Sequence, residues 1–114
     1  MKQCLFCNIV GGSVPATIRY QDDQVMAFDD ISPSAPIHIL VIPKKHISSL
    51  AHVSTQDGAL LGHLLLTVHQ LAAGLGLEGY KTAINTGRQG GQIVDHLHLH
   101  LLANTEPKAS TDTI

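Results

Sequence analysis

Three histidines alternate with leucines in His96-Leu97-His98-Leu99-His100-Leu101-Leu102, and this is where the 114-residue chain most plainly carries chemistry. On a strand, alternate side chains share a face, so Leu97, Leu99 and Leu101 would face a core while three imidazoles line the other side at roughly 7 Å intervals. Imidazoles titrate near pH ~6.5, and three side by side resist joint protonation. Simple solubility would select Thr, Lys or Glu there instead. Two uses remain. His-x-His can present two nitrogens to one metal ion. Alternatively, the central His98 is a nucleophile, its other ring nitrogen held by a hydrogen bond, with flanking histidines steering protons. The loop just upstream, Gly87-Arg88-Gln89-Gly90-Gly91-Gln92, can converge backbone N–H groups on an anion. Beside a histidine row it describes a phosphate pocket and favours the nucleophile.

The second chemical signal is Cys4-Leu5-Phe6-Cys7. No apolar secretion segment precedes it, so reduced thiols are expected rather than a disulfide. A C-x-x-C spacing reads as a redox pair, as half of a zinc site or as two small buried residues. A redox pair normally opens a helix after a strand, and no strand comes before this one. Half a zinc site needs two further ligands, which a chain with eight histidines can supply.

The elements that must position these groups follow from pattern. Residues 1–16 read as a short helical turn and a loop, ended by Gly11-Gly12-Ser13 and Pro15. Ile18 to Gln21 and Val25 to Phe28 form a hairpin about the turn residues Asp22-Asp23-Gln24. Two prolines three apart make Ile31 to Pro36 a loop. His38 to Ile42 is the strongest strand, β-branched and closed by Pro43. One long helix runs from about Thr55 to Leu75, capped by Ser54 or Thr55, with Asp57 in its first turn and Gly74 and Gly76 at its end. Leu60, Leu61, Leu64, Leu65, Val68, Leu71, Ala72 and Leu75 form its core face. A short strand begins at Ala83-Ile84, Asn85 to Gln92 is a glycine-rich turn, and His96 to Leu102 is the last strand. The tail from Asn104 is polar. The result is one α+β domain with a mostly antiparallel sheet.

Composition narrows the partners. The net charge is −2, and Lys44-Lys45 is the only adjacent basic pair, so no surface is built to grip a nucleic-acid backbone. No apolar run approaches a bilayer span, and a cytoplasmic location is expected.

His96 to Leu102 fits H-φ-H-φ-H-φ-φ and resembles the signature of the histidine triad (HIT) nucleotide-binding proteins. Cys4-Leu5-Phe6-Cys7, Ala27-Phe28-Asp29-Asp30-Ile31-Ser32-Pro33, Ala35-Pro36-Ile37-His38, Val41 to Ser48 and Gly90-Gly91-Gln92 resemble its Hint branch, in order, over about residues 4–103. The resemblance implies the HIT-like fold, a five-stranded sheet with one long helix and a short N-terminal helix, continued across a homodimer. It implies a purine nucleoside phosphoramidase that hydrolyses adenosine or guanosine 5′-phosphoramidates. His98 would attack the α-phosphorus, His100 would contact the phosphate and assist the leaving group, and His38 would relay protons with His96. The resemblance gives Asp30 to the ribose diol; read from residues alone, Asp29 and Asp30 merely start a turn. Asn85, Gly91, Gln92 and the backbone of Ile93 and Val94 map to the phosphate. Phe6, Ile9, Val14, Phe28, Ile31 and Leu40 map near an apolar base slot.

One residue departs from the pattern. Relatives usually carry Ser or Thr where this chain has Ile93, so a hydroxyl donor worth about 1 kcal/mol is missing and the leaving-group preference is open. Some relatives bind zinc through four positions that here are Cys4, Cys7, His46 and His96, a complete tetrahedral structural set. His96 would then serve the ion and have less part in a relay. The alternatives are a dinucleoside polyphosphate hydrolase of the Fhit-like branch, or a nucleotide-binding regulatory protein whose turnover is incidental. So small a domain leaves much apolar surface uncovered, which favours a dimer, and the resemblance implies that it pairs through the long helix and a Tyr80 to Ile84 edge strand.

Overall fold

The computed structural model describes residues 4–105. A short helix α1 (Leu5–Val10) leads into β1 (Ile18–Gln21), β2 (Val25–Asp29) and β3 (Ile37–Pro43). Two 3-10 turns, Leu50–His52 and Thr55–Asp57, precede the long helix α2 (Gly58–Gly74). Then come β4 (Lys81–Ala83), a 3-10 turn at Arg88–Gly90 and β5 (Leu99–Ala103). The five strands form one sheet in the order β1-β2-β3-β5-β4, antiparallel at every pairing. This is the expected α+β architecture, a five-stranded antiparallel sheet with one long and one short helix, in which the β3–β5 pairing brings the middle and end of the chain side by side.

β3 is buried along its whole length because both of its faces are covered. Ile37, Ile39 and Val41 join Val25, Ala27, Leu97, Leu99 and Leu101 against Leu64, Val68 and Ala72 of α2. The residues between them point the other way. Leu40 and Ile42 pack with Met26 and Phe28 of β2, and with Cys4, Phe6 and Ile9 of the N-terminal segment. His38 has the same parity as Leu40 and Ile42, so it faces the N-terminal side of the sheet.

The α2 helix is entered through a capping box on the 3-10 turn Thr55–Asp57 just before it. The Ser54 N–H donates to Asp57 Oδ2 at 2.9 Å, the Ser54 hydroxyl accepts from the Gln56 N–H, and Lys45 Nζ donates to Asp57 Oδ1 at 3.0 Å. It closes at Gly76, whose φ of 69° lets the Gly76 N–H reach Ala73 O and the Leu77 N–H reach Ala72 O. Asp22 ties the first hairpin to this helix. One of its oxygens accepts the Gln24 and Val25 N–H groups, and the other accepts from Tyr20 Oη at 2.6 Å and His63 Nε2 at 2.7 Å. The Tyr20 hydroxyl, chiefly, holds the Asp22 carboxyl well below its ordinary range.

Several expectations need correction. The last strand starts at Leu99, not His96, although β3 runs on to Pro43: that proline has no N–H to offer a ladder, and the Leu97 N–H bonds to Ile47 O at 2.7 Å instead. The alternation of sides nonetheless persists through it, with Leu97 in the core. The helix proper begins at Gly58, since Thr55–Asp57 is wound as 3-10. Leu65 is turned out of the core face and is 53% exposed, next to Leu66 at 57%. The edge strand spans Lys81–Ala83, shorter than Tyr80 to Ile84. The polar tail lies outside the described residues from 106 onward. Among the described residues no helix is long and apolar enough to cross a membrane.

Candidate active site

The hydrogen bonds of the histidine row fix which nitrogen of each ring carries a proton. A carbonyl oxygen only accepts, so His98 Nδ1, 2.6 Å from His96 O, must be the donor. That leaves His98 Nε2 as the bare, nucleophilic nitrogen. Burial lowers the pKa of His98 from the usual imidazole value, and its bond to the carbonyl offsets this in part. The ring is therefore neutral near pH 7, as a nitrogen nucleophile must be.

A second chain of donors runs from Ser34 to His100. The Ser34 N–H donates to His38 Nδ1 at 3.1 Å, so His38 carries its proton on Nε2. That N–H donates to His100 Nδ1 at 2.9 Å and faces Asp30 Oδ2 at 3.4 Å. His100 must then hold its own proton on Nε2, a buried atom with no hydrogen-bond partner among the described residues. A buried unpaired donor costs about 1–3 kcal/mol, so this N–H is a ready site for a ligand oxygen. Burial pushes the His100 pKa down to about 4, and the nearby His98 and His38 rings push the same way.

The two carboxylate oxygens of Asp30 face different partners. Its Oδ1 accepts the Ser32 N–H at 2.8 Å, starting the turn after β2, while its Oδ2 lies beside His38. The carboxylate thus stands at the His100 end of the row.

The glycine-rich loop folds around its own side chains. Gly87 and Gly91 have φ of 72° and 89°, which favour glycine, and a Cβ on Gly91 would come 3.4 Å from Asn85 Nδ2. The buried Gln92 braces the loop: its Nε2 donates to Ser48 O at 2.7 Å and Val94 O at 2.9 Å, and its Oε1 accepts the Gly87 N–H at 2.9 Å. The backbone N–H groups of Gly91 and Gln92 bond to Arg88 O and Gly87 O. Gly91 and Gln92, expected at the phosphate, are therefore engaged within the loop. The N–H groups of Ile93 and Val94, by contrast, meet no protein acceptor among the described residues, and Asn85 Nδ2 reaches only Gly91 O at 3.5 Å. These are the donors left for an anion.

The apolar positions divide. Phe6, Ile9, Phe28 and Leu40 are buried and packed together, a core wall rather than an open slot, with Val14 partly buried against them. The edge of Phe6 meets His98, ring centroids 5.2 Å apart. Ile31 is almost fully exposed, and so is Ile93.

At the other end of the row, Cys4, Cys7, His46 and His96 bring their ligand atoms within 4.8 Å of one another. Both cysteines are thiols. His96 Nδ1 is 3.3 Å from Cys4 Sγ, 3.6 Å from Cys7 Sγ and 3.2 Å from His46 Nδ1, and Cys7 Sγ is 3.3 Å from His46 Nδ1. A tetrahedron of two thiolates and two imidazoles around zinc has edges of about 3.3–3.8 Å, so the donor set fits that ion. The fit extends outward. His96 Nε2 donates to Pro43 O at 2.8 Å, which leaves Nδ1 unprotonated and aimed at the thiols. With both its nitrogens so engaged, His96 cannot also relay protons with His38, and the partner of His38 is His100.

Pro43 O, Ser34 N–H, Arg88 and Asp95 were not foreseen as parts of this arrangement. The first two are backbone groups with no signature in residue type. The last two are an ion pair seven residues apart whose meeting depends on the loop's turns.

A family model described as "Scavenger mRNA decapping enzyme C-term binding" matches residues 3–113. The chain is 56% identical over 102 residues to an uncharacterized HIT-like protein of Synechococcus elongatus, covering 89% of this chain and 90% of that one. It is 47% identical over 103 residues to protein HitA of Neisseria gonorrhoeae, covering 90% and 96%. Among solved structures, it is similar to a HIT family hydrolase from Legionella pneumophila, with a TM-score of 0.88 at 42% identity, covering 97% of this chain and 100% of the other. A histidine triad protein from Clostridium difficile has a TM-score of 0.86 at 40% identity, covering 93% and 96%.

Proposed function

This chain belongs to the histidine triad family, and on that premise we propose that it is a purine nucleoside phosphoramidase of the Hint branch. The observation that carries the reading is the orientation of His98: a neutral ring, anchored at Nδ1, with Nε2 bare beside the unpartnered His100 Nε2–H. His98 Nε2 attacks the α-phosphorus and forms a nitrogen–phosphorus bond. The substrate's own phosphorus–nitrogen bond breaks, and the departing amine takes a proton drawn from solvent, while the neutral His100 ring donates its Nε2–H to the phosphoryl group. Water then attacks phosphorus, gives up a proton to solvent and frees His98, leaving the nucleoside monophosphate. Negative charge on the phosphoryl oxygens is met by the Ile93 and Val94 amides, and the ribose diol by Asp30.

Zinc belongs to the same proposal. Cys4, Cys7, His46 and His96 would hold it in a closed four-ligand site, where it supplies folding energy and no activated water. A homodimer joined through α2 and the β4 edge, with AMP or GMP as product ligand, completes the reading. The exposed Leu65 and Leu66 support such pairing.

Adenosine 5′-phosphoramidate offered to wild type and His98→Ala tests the reaction. Loss of AMP production in the variant, with AMP binding retained, supports it, and equal turnover overturns it. The matched decapping-enzyme model favours a second reading, cleavage of a phosphoanhydride joining two nucleosides. Product profiles on a dinucleoside polyphosphate, run beside the phosphoramidate, separate the two.

A further inference from the structure

Arg88 and Asp95 do something to the phosphate loop that their charges alone would not suggest. Arg88 Nη1 donates to Gln92 O at 2.6 Å and to Asp95 Oδ1 at 2.8 Å, while Nη2 donates to Asp95 Oδ2 at 3.0 Å. Gln92 and Asp95 bracket Ile93 and Val94, the two residues whose amides take no protein acceptor. Both charged side chains are about two-thirds exposed and line a cleft of about 790 Å³ that none of the three triad histidines borders. An ion pair so exposed contributes little to global stability. The guanidinium's charge is neutralised by Asp95, and its donors are turned toward the loop rather than outward as for a free anion ligand.

We propose that Arg88 and Asp95 are positioning residues, a clamp that holds Ile93 and Val94 in the one loop shape that aims their N–H groups at the phosphate. The inference rests on the phosphoramidase reading for its kinetic consequence, not for its structural one. Without the clamp, the segment between the Gln92 brace and His96 samples other shapes, and each one misdirects donors that the transition state needs. Ground-state binding of the nucleotide, held at the ribose end by Asp30, changes less than the rate.

The test uses Arg88→Met, Asp95→Asn and the double variant in the full chain. Expected are a loss of about tenfold in kcat/KM for each single variant, carried by kcat more than KM, with the double variant no worse and the melting temperature unmoved. Arg88→Lys, which keeps the charge and one donor nitrogen but not the planar fork, is expected to recover only part of the rate. Backbone ¹⁵N order parameters of Ile93 and Val94 in the free protein are expected to fall in each variant. Full activity in either single variant overturns the proposal, as does a rate loss that tracks melting temperature. Loss in Arg88→Met with none in Asp95→Asn overturns it too, by making Arg88 a direct phosphate ligand. Inactive wild type on every phosphoramidate would overturn the functional reading alone, and unchanged order parameters would overturn the clamp.

Discussion

Cys4 Sγ and His96 Nδ1 lie 3.3 Å apart in a buried contact, although 92 positions separate them in the chain. The ends of the domain meet there, next to His98, whose ring His96 O orients. Protein purified without chelator is expected to carry close to one zinc per chain by elemental analysis. Chelation or Cys4→Ser is expected to lower the melting temperature by about 10 °C or more, while His98→Ala leaves the metal content unchanged. Metal-free protein that is fresh, reduced and fully stable would refute this.

Acid is expected to weaken the fold before it reaches any carboxylate. The folded pKa of His100 is about 4, below the unfolded value near ~6.5. Between those values the unfolded chain binds more protons. The contribution of His100 to stability is therefore complete above about pH 6.5 and lost as pH falls toward about 4. Thermal melts across that window check it, and His100→Asn is expected to flatten the slope. The acid limb of kcat/KM likewise belongs well below 6.5; a limb centred at 6.5 would contradict the burial of the row.

His38 and Asp30 are expected to separate rate from affinity. His38→Ala leaves the His100 tautomer unfixed, which is expected to lower kcat about ten- to a hundredfold with AMP affinity nearly unchanged. Asp30→Ala is expected to weaken AMP binding about tenfold, yet to leave binding of a 2′,3′-dideoxy analogue unaffected. Calorimetry on both ligands checks the contrast, and equal losses for the two would remove Asp30 from the ribose.

Light scattering at micromolar concentration is expected to give twice the chain mass, and Leu66→Glu to shift it toward the single-chain mass. A wild-type monomer would leave the two exposed leucines of α2 and the β4 edge without that partner.

Much of this was legible in residue order, and the limits have physical causes. The parity of Leu97, Leu99 and Leu101 against His96, His98 and His100 depends only on alternation, and it holds even where the ladder does not. The start of β5 departs from the pattern because the end of β3 is a proline with no N–H to donate, and the Leu97 N–H turns to Ile47 O instead. Leu65 was misjudged because an all-leucine stretch gives no polar contrast to mark the buried side. The resemblance maps Gln92 to the phosphate, whereas its side chain makes three hydrogen bonds to backbone groups that no sequence pattern displays. The open amides of Ile93 and Val94 emerge only once those of Gly87, Gly90, Gly91 and Gln92 have been matched to their acceptors.

The pairing of β3 with β5 sets Leu40 opposite His100 and Val41 opposite Leu99. Core and histidine row are thus two sides of one ribbon, and a strand has only odd and even positions to offer them. One residue inserted or deleted between Leu97 and Leu101 would exchange the two sets downstream of the change, driving imidazole into the α2 interface and leucine into the site. Point substitutions here can be graded, but a change in length cannot. The segment is expected to tolerate neither gain nor loss of a residue, whereas the exposed turn at Asp23 can absorb one without disturbing either side.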